Sequence, residues 1–359
     1  MNTINIGNKT VGDNQPLYFI ADIGANHDGD INRAYNLIEL AKKSGADAAK
    51  FQNFEANKIV SKTGFESLGG QLSHQSKWKK SVYETYEDAS LPDDWTPLLK
   101  EKCDEVGIDY FTSAYDRDSV DHADNFVDVF KIGSGDITWH EIIEYTAKKG
   151  KPVIMSTGAA NFDEVKKAIK VLEEHTDQIV LMQCNTNYTT DDDKYKYVNL
   201  NVLKKYKKHF PDVILGLSDH TFGHATILGA IALGARVFEK HFTDDNNREG
   251  PDHKFAMNPE SWKEMVINSN QLYSALGDGI KKVEPNEEKS KIVQRRSLRV
   301  NKDLKKGQII KKTDIEALRP LPEDGFDPYE VQTIIGKKIS KSIKAGKHLS
   351  EEYIADDKR

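Results

Sequence analysis

Cysteine is almost missing from this 359-residue chain: Cys103 and Cys184 are the only two, and they lie far apart. That excludes a disulfide framework and a cysteine-based zinc site, and it favours a reducing compartment. Long apolar runs are missing as well. No stretch approaches the about 18 consecutive apolar residues of a membrane span, and the N-terminus lacks the basic segment and apolar core of an export signal. A cytoplasmic protein with no membrane partner is therefore expected. Basic excess is lacking too: the formal net charge is -6 with 30% charged residues, which gives no reason to expect nucleic acid. Finally, the segment Gly24-Ala25-Asn26-His27-Asp28-Gly29 follows the first apolar run without the glycine spacing of a dinucleotide-binding turn.

What the chain does have is a regular alternation of short apolar runs and longer helical stretches. Strand candidates are Leu17–Ile23, Ala48–Gln52, Asp109–Thr112, Val129–Ile132, Pro152–Met155, Ile179–Cys184, Val213–Leu217 and Arg236–Lys240. Between them, Ile31–Lys43, Pro97–Glu105, Phe162–Glu173 and Val202–His209 carry apolar residues at three- and four-residue spacing, as helices with one buried face do. Eight βα units in unbroken series predict an α/β fold, a (β/α)8 TIM barrel over residues 1–276, with its active site at the carboxyl ends of the strands. The pattern breaks after the predicted helix Pro259–Ala275. Residues 277–292, rich in Gly, Lys, Glu and Pro, read as a linker. Residues 293–359 fall into short segments broken by turns, of which Lys305-Lys306-Gly307-Gln308 and Lys344-Ala345-Gly346-Lys347 are alike. A domain of that size is small for independent stability.

The strand ends carry the chemistry. Gly216-Leu217-Ser218-Asp219-His220-Thr221 and Phe238-Glu239-Lys240-His241-Phe242 each close an apolar run on a histidine. One βαβ unit sets His220 and His241 at the same end of neighbouring parallel strands, where two imidazoles can share a divalent metal or simply serve as polar loop residues. Other strand ends supply Asp22, Lys50, Ser113, Lys131 with Ser134, and Ser156 with Thr157. A lysine ending an apolar strand is costly unless it meets an anion, either a ligand or a carboxylate of the barrel. Lys50 and Lys131 with the hydroxyls of Ser113, Ser134, Ser156 and Ser218 and the amides of Gly133 and Gly135 describe a site for phosphate and carboxylate together. A metal beside it implies Lewis-acid chemistry on a carbonyl.

Taken in order, the segments Ile20–Gly29, Ala49–Gln52, Phe130–Asp136, Met155–Gly158, Gly216–Thr221, Glu239–Thr243 and Gly250–His253 resemble the sialic acid synthase family. Arg295–Leu298 and Leu318–Pro320 resemble the antifreeze-like (SAF, β-clip) domain that closes those enzymes. The resemblance implies condensation of phosphoenolpyruvate with the open-chain aldehyde of an N-acyl hexosamine, giving a nine-carbon 2-keto acid and phosphate. The hexosamine is N-acetylmannosamine or a 2,4-diacetamido-6-deoxy hexose, and the cofactor is Mn2+ or Mg2+. Carried over by position, Lys50, Ser113, Lys131, Ser134, Ser156 and Ser218 hold phosphoenolpyruvate, and His220 and His241 bind the metal. Asp22, Thr186, Tyr188 and Asp252 face the sugar, with Asp22 as acid-base candidate. Arg319 reaches the sugar of the neighbouring subunit in a domain-swapped homodimer. A synthase acting on a hexosamine 6-phosphate and a non-catalytic sugar-binding relative are the alternatives.

Departures from the family pattern cluster on the sugar side. Asp22 stands where the family has glutamate, Thr186 where it often has asparagine and Thr189 where it often has proline. Three further features invite a role. His27 is either a third metal ligand or a turn histidine bonded to its own loop, and His253 sits beside Asp252. The helix-like Tyr83-Glu84-Thr85-Tyr86 lies in a second βα connection long enough to cover an active site.

Overall fold

The apolar runs pair side by side and close on themselves. A computed structural model of the chain, which describes residues 2–68, 71, 75–76, 78–188 and 192–355, contains a closed barrel of eight parallel strands. Thr189 lies outside the described residues. The barrel strands are β3 (Tyr18–Asp22), β4 (Ala48–Asn53), β5 (Asp109–Ala114), β6 (Phe130–Ile132), β7 (Val153–Ser156), β8 (Ile179–Cys184), β9 (Ile214–Ser218) and β10 (Val237–His241). They neighbour one another in sequence order, and β10 pairs with β3 to complete the ring. Strands covered on both faces read as continuous apolar runs, and β7, β8 and β9 are buried throughout.

The intervening helices bury one stripe each. Helix Ile31–Lys43 turns Ala34, Leu37, Ile38 and Ala41 inward, and helix Phe162–Glu173 does so with Val165, Ala168, Ile169 and Leu172. Asn161 caps the second of these, its side chain accepting from the Asp163 and Glu164 amides while Glu164 reaches back. Three strand ends differ from the expected bounds. Ser113 lies within β5 rather than after it, His241 is the last residue of β10, and His220 stands two residues beyond β9.

An additional hairpin, β1 (Thr3–Ile6) and β2 (Lys9–Gly12), precedes the barrel and was not expected. Its Ile4, Ile6 and Val11 join the barrel core. Lys9 Nζ lies 3.2 Å from Asp47 and 3.1 Å from Asp109, at the amino ends of β4 and β5. The hairpin thus closes the amino-terminal end, leaving the carboxyl end for ligands. No helix among the described residues is long and apolar enough to cross a membrane.

Contacts divide the chain into Met1–Gly277 and Asp278–Arg359. The exposed helix Glu288–Gln294 begins within the stretch 277–292 read as a linker and runs two residues past it. In the second unit, β11 (Ser297–Val300) and β12 (Ile315–Leu318) pair antiparallel, and Leu298, Val300, Leu304, Ile310, Ile339, Ile343 and Leu349 form part of its own core. The two similar turns place Gly307 and Gly346 at φ +80° and +81°, a left-handed conformation that suits glycine, and the bridge Leu304–Ile343 pairs the segments leading into them.

Candidate active site

Parallel register brings the charged strand ends into one ring. Asp22 pairs with Lys50 on one side and His241 on the other, and Ser113 pairs with Lys131. Lys50 Nζ is 2.7 Å from Asp22 Oδ2 and 3.9 Å from Glu239 Oε2. Lys131 Nζ is 3.3 Å from Glu239 Oε1, which also accepts from the Ser218 hydroxyl at 3.0 Å. Both lysines therefore meet barrel carboxylates. Burial works against the charged form of Lys50, yet Asp22 and Glu239 beside it raise its pKa. Burial likewise opposes ionisation of Glu239, but Lys131 and Lys50 hold its carboxyl below the usual range.

Glu239 was not singled out from the sequence. The signal was available: side chains alternate along a strand, so Val237, Glu239 and His241 share one face of β10. Asp22 Oδ1, Glu239 Oε2 and His241 Nδ1 are buried without a hydrogen-bond partner among the described residues. Three such atoms converging on one cavity mark where ligand groups can enter, because buried polar atoms are otherwise paired.

His220 Nδ1 lies 3.1 Å from the Asn185 carbonyl. A carbonyl only accepts, so Nδ1 carries the proton and the Nε2 lone pair is left free. Burial and the neighbouring His241 push the His220 pKa down to about 3, leaving a neutral imidazole. The two rings are 5.5 Å apart, and the Tyr188 ring meets His220 edge-on at 4.4 Å. His241 Nε2 is 3.7 Å from Asp22 Oδ2, and Nδ1 is 3.7 Å from Asp252 Oδ2. Gly24 makes that approach possible: a Cβ there would stand 3.1 Å from Asp252 Oδ2 and 3.4 Å from His241 Nδ1. Among the described residues, no three His, Cys, Asp or Glu side chains are gathered as a metal cage.

One cavity of about 490 Å³ collects Asp22, Lys50, Ser113, Lys131, Ser134, Ser156, Thr186, Tyr188, Ser218, His220, His241 and Asp252. Ser134 Oγ accepts from the Gly158 amide at 2.9 Å, which holds the turn after β6 against that after β7. Arg319 belongs to the second unit, where it is exposed just after β12. His27 is absorbed by its own turn, its Nδ1 accepting from the Gly29 amide at 3.1 Å. His253 is buried between Thr243 Oγ1 at 2.7 Å and Asp28 Oδ1 at 2.9 Å.

The sequence profile of the NeuB family matches residues 37–281, and that of the SAF domain matches residues 295–352. The chain belongs to the NeuB family. It is 35% identical over 354 residues to N,N'-diacetyllegionaminic acid synthase of Legionella pneumophila, covering 97% of each chain. It is 34% identical over 353 residues to pseudaminic acid synthase of Campylobacter jejuni, covering 97% of this chain and 99% of the relative. Among solved structures, N-acetylneuraminic acid (sialic acid) synthetase of Leptospira borgpetersenii, crystallised with citrate, matches with a TM-score of 0.71 at 26% identity. That match covers 80% of this chain and 95% of the other. Membership makes the chain an enzyme of the nonulosonic acid synthase class.

One further residue of this NeuB-family cavity escaped the sequence reading. Asp136, in the turn after β6, lines it, and burial pushes its pKa up to about 6 against the pull of Lys131. The wall is aromatic: Phe54 lies 5.4 Å from Tyr86 and 5.8 Å from Tyr115, ring to ring. Helix Val82–Ala89 therefore faces the site, presenting Thr85, Tyr86 and Ala89. An adjoining cavity of about 760 Å³ shares Trp78 and Tyr188 with the first.

Proposed function

We propose that this enzyme condenses phosphoenolpyruvate with the open-chain aldehyde of an unphosphorylated N-acyl hexosamine, N-acetylmannosamine or a 2,4-diacetamido-6-deoxy hexose, acting in the cytoplasm. The observation that carries the reading is one cavity in which two buried lysines, Lys50 and Lys131, stand beside two buried imidazoles, His220 and His241. In the reaction, C3 of phosphoenolpyruvate bonds to C1 of the aldehyde and the new alkoxide takes up a proton. Water adds at C2, one of its protons balancing that taken up by the alkoxide; the C2–O bond to phosphate then breaks as the C2 hydroxyl becomes the ketone and its proton leaves with the phosphate.

Lys50, Lys131 and the hydroxyls of Ser113, Ser134, Ser156 and Ser218 bind the phosphate and carboxylate. His220 and His241 hold a divalent ion, Mn2+ or Mg2+. The residues suit it, since among the described residues the His220 Nε2 lone pair is free and His241 Nδ1 is buried without a partner. When bound, the ion polarises the aldehyde carbonyl. Asp22, its carboxylate within reach of Lys50 and His241, moves the proton at the alkoxide or the water. Thr186, Tyr188 and Asp252 orient the sugar, and Arg319 of a second copy completes the contact in a domain-swapped homodimer.

The adjoining cavity favours an unphosphorylated sugar over a hexosamine 6-phosphate. Of the three lysines among the described residues that line it, two, Lys79 and Lys80, already pair with Glu249 and Asp88. The deciding experiment measures phosphate release from phosphoenolpyruvate with Mn2+, across N-acetylmannosamine, its 6-phosphate and several 2,4-diacetamido-6-deoxy hexoses, with and without chelator. Chelator-sensitive release with one unphosphorylated sugar is expected. Release with the 6-phosphate alone overturns the choice of substrate, and release that ignores the chelator overturns the metal.

A further inference from the structure

Each imidazole of the pair is preceded in the chain by a charged residue that does not line the cavity. Lys240 alternates with Glu239 and His241 along β10 and so points out of the barrel interior, while Asp219 continues the ladder beyond β9, its amide donating to the Glu239 carbonyl at 2.9 Å. The two side chains meet behind the cavity. Lys240 Nζ is 2.5 Å from Asp219 Oδ2, and each side chain is only 2% exposed.

Every other bond of this cluster ties down the chain around His220. Lys240 Nζ donates to the Thr221 carbonyl at 2.7 Å. Asp219 Oδ2 accepts from the hydroxyls of Thr221 at 2.9 Å and Thr226 at 2.7 Å, and Oδ1 accepts from the Thr221 amide at 3.2 Å. His220 is thus bracketed by residues 219 and 221, and both are bound to Lys240, the residue next to His241. A buried ion pair is a poor source of stability, because desolvation consumes most of its Coulomb energy and apolar replacements of like size often cost nothing.

We propose that the Asp219–Lys240 pair positions the two imidazoles: by locking the loop after β9 to the end of β10 it sets their separation and aim. The proposal rests on the reading of His220 and His241 as metal ligands, and it assigns the pair no contact with substrate. The test uses the full-length double variant Asp219→Asn/Lys240→Met, which removes both charges together and leaves neither buried alone. Mn2+ alone is titrated and free Mn2+ is followed by electron paramagnetic resonance. Thermal melting, kcat and the KM for phosphoenolpyruvate are measured alongside.

The double variant is expected to melt near the wild type, to bind Mn2+ about 10- to 100-fold more weakly and to lose kcat in similar proportion. Its KM for phosphoenolpyruvate should stay close to wild type, since Lys50 and Lys131 are untouched; a merely structural lesion would move both parameters. Wild-type Mn2+ affinity in the folded double variant overturns the proposal. If the double variant does not fold, Lys240→Arg decides. Its larger, planar guanidinium cannot occupy the place of the single Nζ held between Asp219 and Thr221 without shifting one of them, so unchanged Mn2+ affinity there overturns the proposal equally. If the wild type binds no Mn2+, the metal reading fails, and a crystal structure of the variant settles the positioning claim: imidazoles still 5.5 Å apart and in the same orientation refute it, and displaced ones sustain it.

Discussion

The two ends of the barrel are built from the same residue types and do different things. At the amino end Lys9 meets Asp47 and Asp109, and the Tyr18 hydroxyl donates to Asp109 at 2.7 Å. The three charged side chains are a quarter to a third exposed, Lys9 at 35%, Asp47 at 27% and Asp109 at 25%, and among the described residues none of the cluster is left with a buried unpartnered atom. At the carboxyl end Lys50, Lys131, Asp22 and Glu239 are all at most 6% exposed, and two of the four keep a buried oxygen without a partner among the described residues. A cluster whose charges are paired and partly exposed fastens a hairpin; a buried cluster with oxygens left unpartnered is what a ligand-binding site requires. Charge alone does not distinguish them, whereas the hydrogen-bond account does.

The sharpest way to break the comparison is to remove one cation from each end. Lys131→Met should raise the KM for phosphoenolpyruvate about 10- to 100-fold, the worth of one or two charged hydrogen bonds, while the KM for the sugar moves less. A larger effect on the sugar would reassign the lysine. Glu239→Gln should act in the opposite direction. It takes away the carboxylate that competes with a bound anion for both lysines, so inorganic phosphate should bind about tenfold more tightly by calorimetry. Weaker binding would make Glu239 a support for the lysines rather than their counter-charge.

Asp136 sharpens the contrast through pH. Its pKa stands at about 6 in the folded chain against an ordinary value of 3.8. Ionising it therefore costs folding free energy, a cost absent below the ordinary value and complete once pH has risen through about 6. Asp136→Asn should melt higher than wild type at pH 7, with the gain vanishing towards pH 4, and it should remove any inflection near pH 6 from the pH profile of turnover. A gain independent of pH would assign the effect to packing. The smallest effect is expected at the other end. Lys9→Met should cost about 1 kcal/mol in urea unfolding, as half-exposed ion pairs do, and leave both KM values unchanged.

Much of this was legible in the residues. The helices Ile31–Lys43, Phe162–Glu173, Val202–His209 and Pro259–Ala275 begin and end where their apolar spacing does. The barrel strands stand out because burial on both faces demands unbroken apolar runs. The opening hairpin was missed because two strands of four residues are too short for a pattern to register, although Ile4, Ile6 and Val11 alternate correctly around the Gly7-Asn8 turn. Asp136 and Glu239 were passed over for different reasons. Asp136 lies in a short turn with no period to read, and Glu239 sits within a strand whose neighbours drew attention to His241.

The sequence by itself determined the barrel, the end of it at which charged and polar strand-end groups gather, and the kind of groups found there, because each follows from local pattern and from strand direction. Only the tertiary structure decided which groups meet. That Asp22 on the first barrel strand lies against His241 on the last, that one carboxylate, Glu239, faces both lysines, and that Asp219 locks to Lys240 behind the imidazoles all depend on ring closure between β10 and β3 and on the stagger of β9 against β10. Strand tilt and shear set those neighbours, and no local run of residues encodes them.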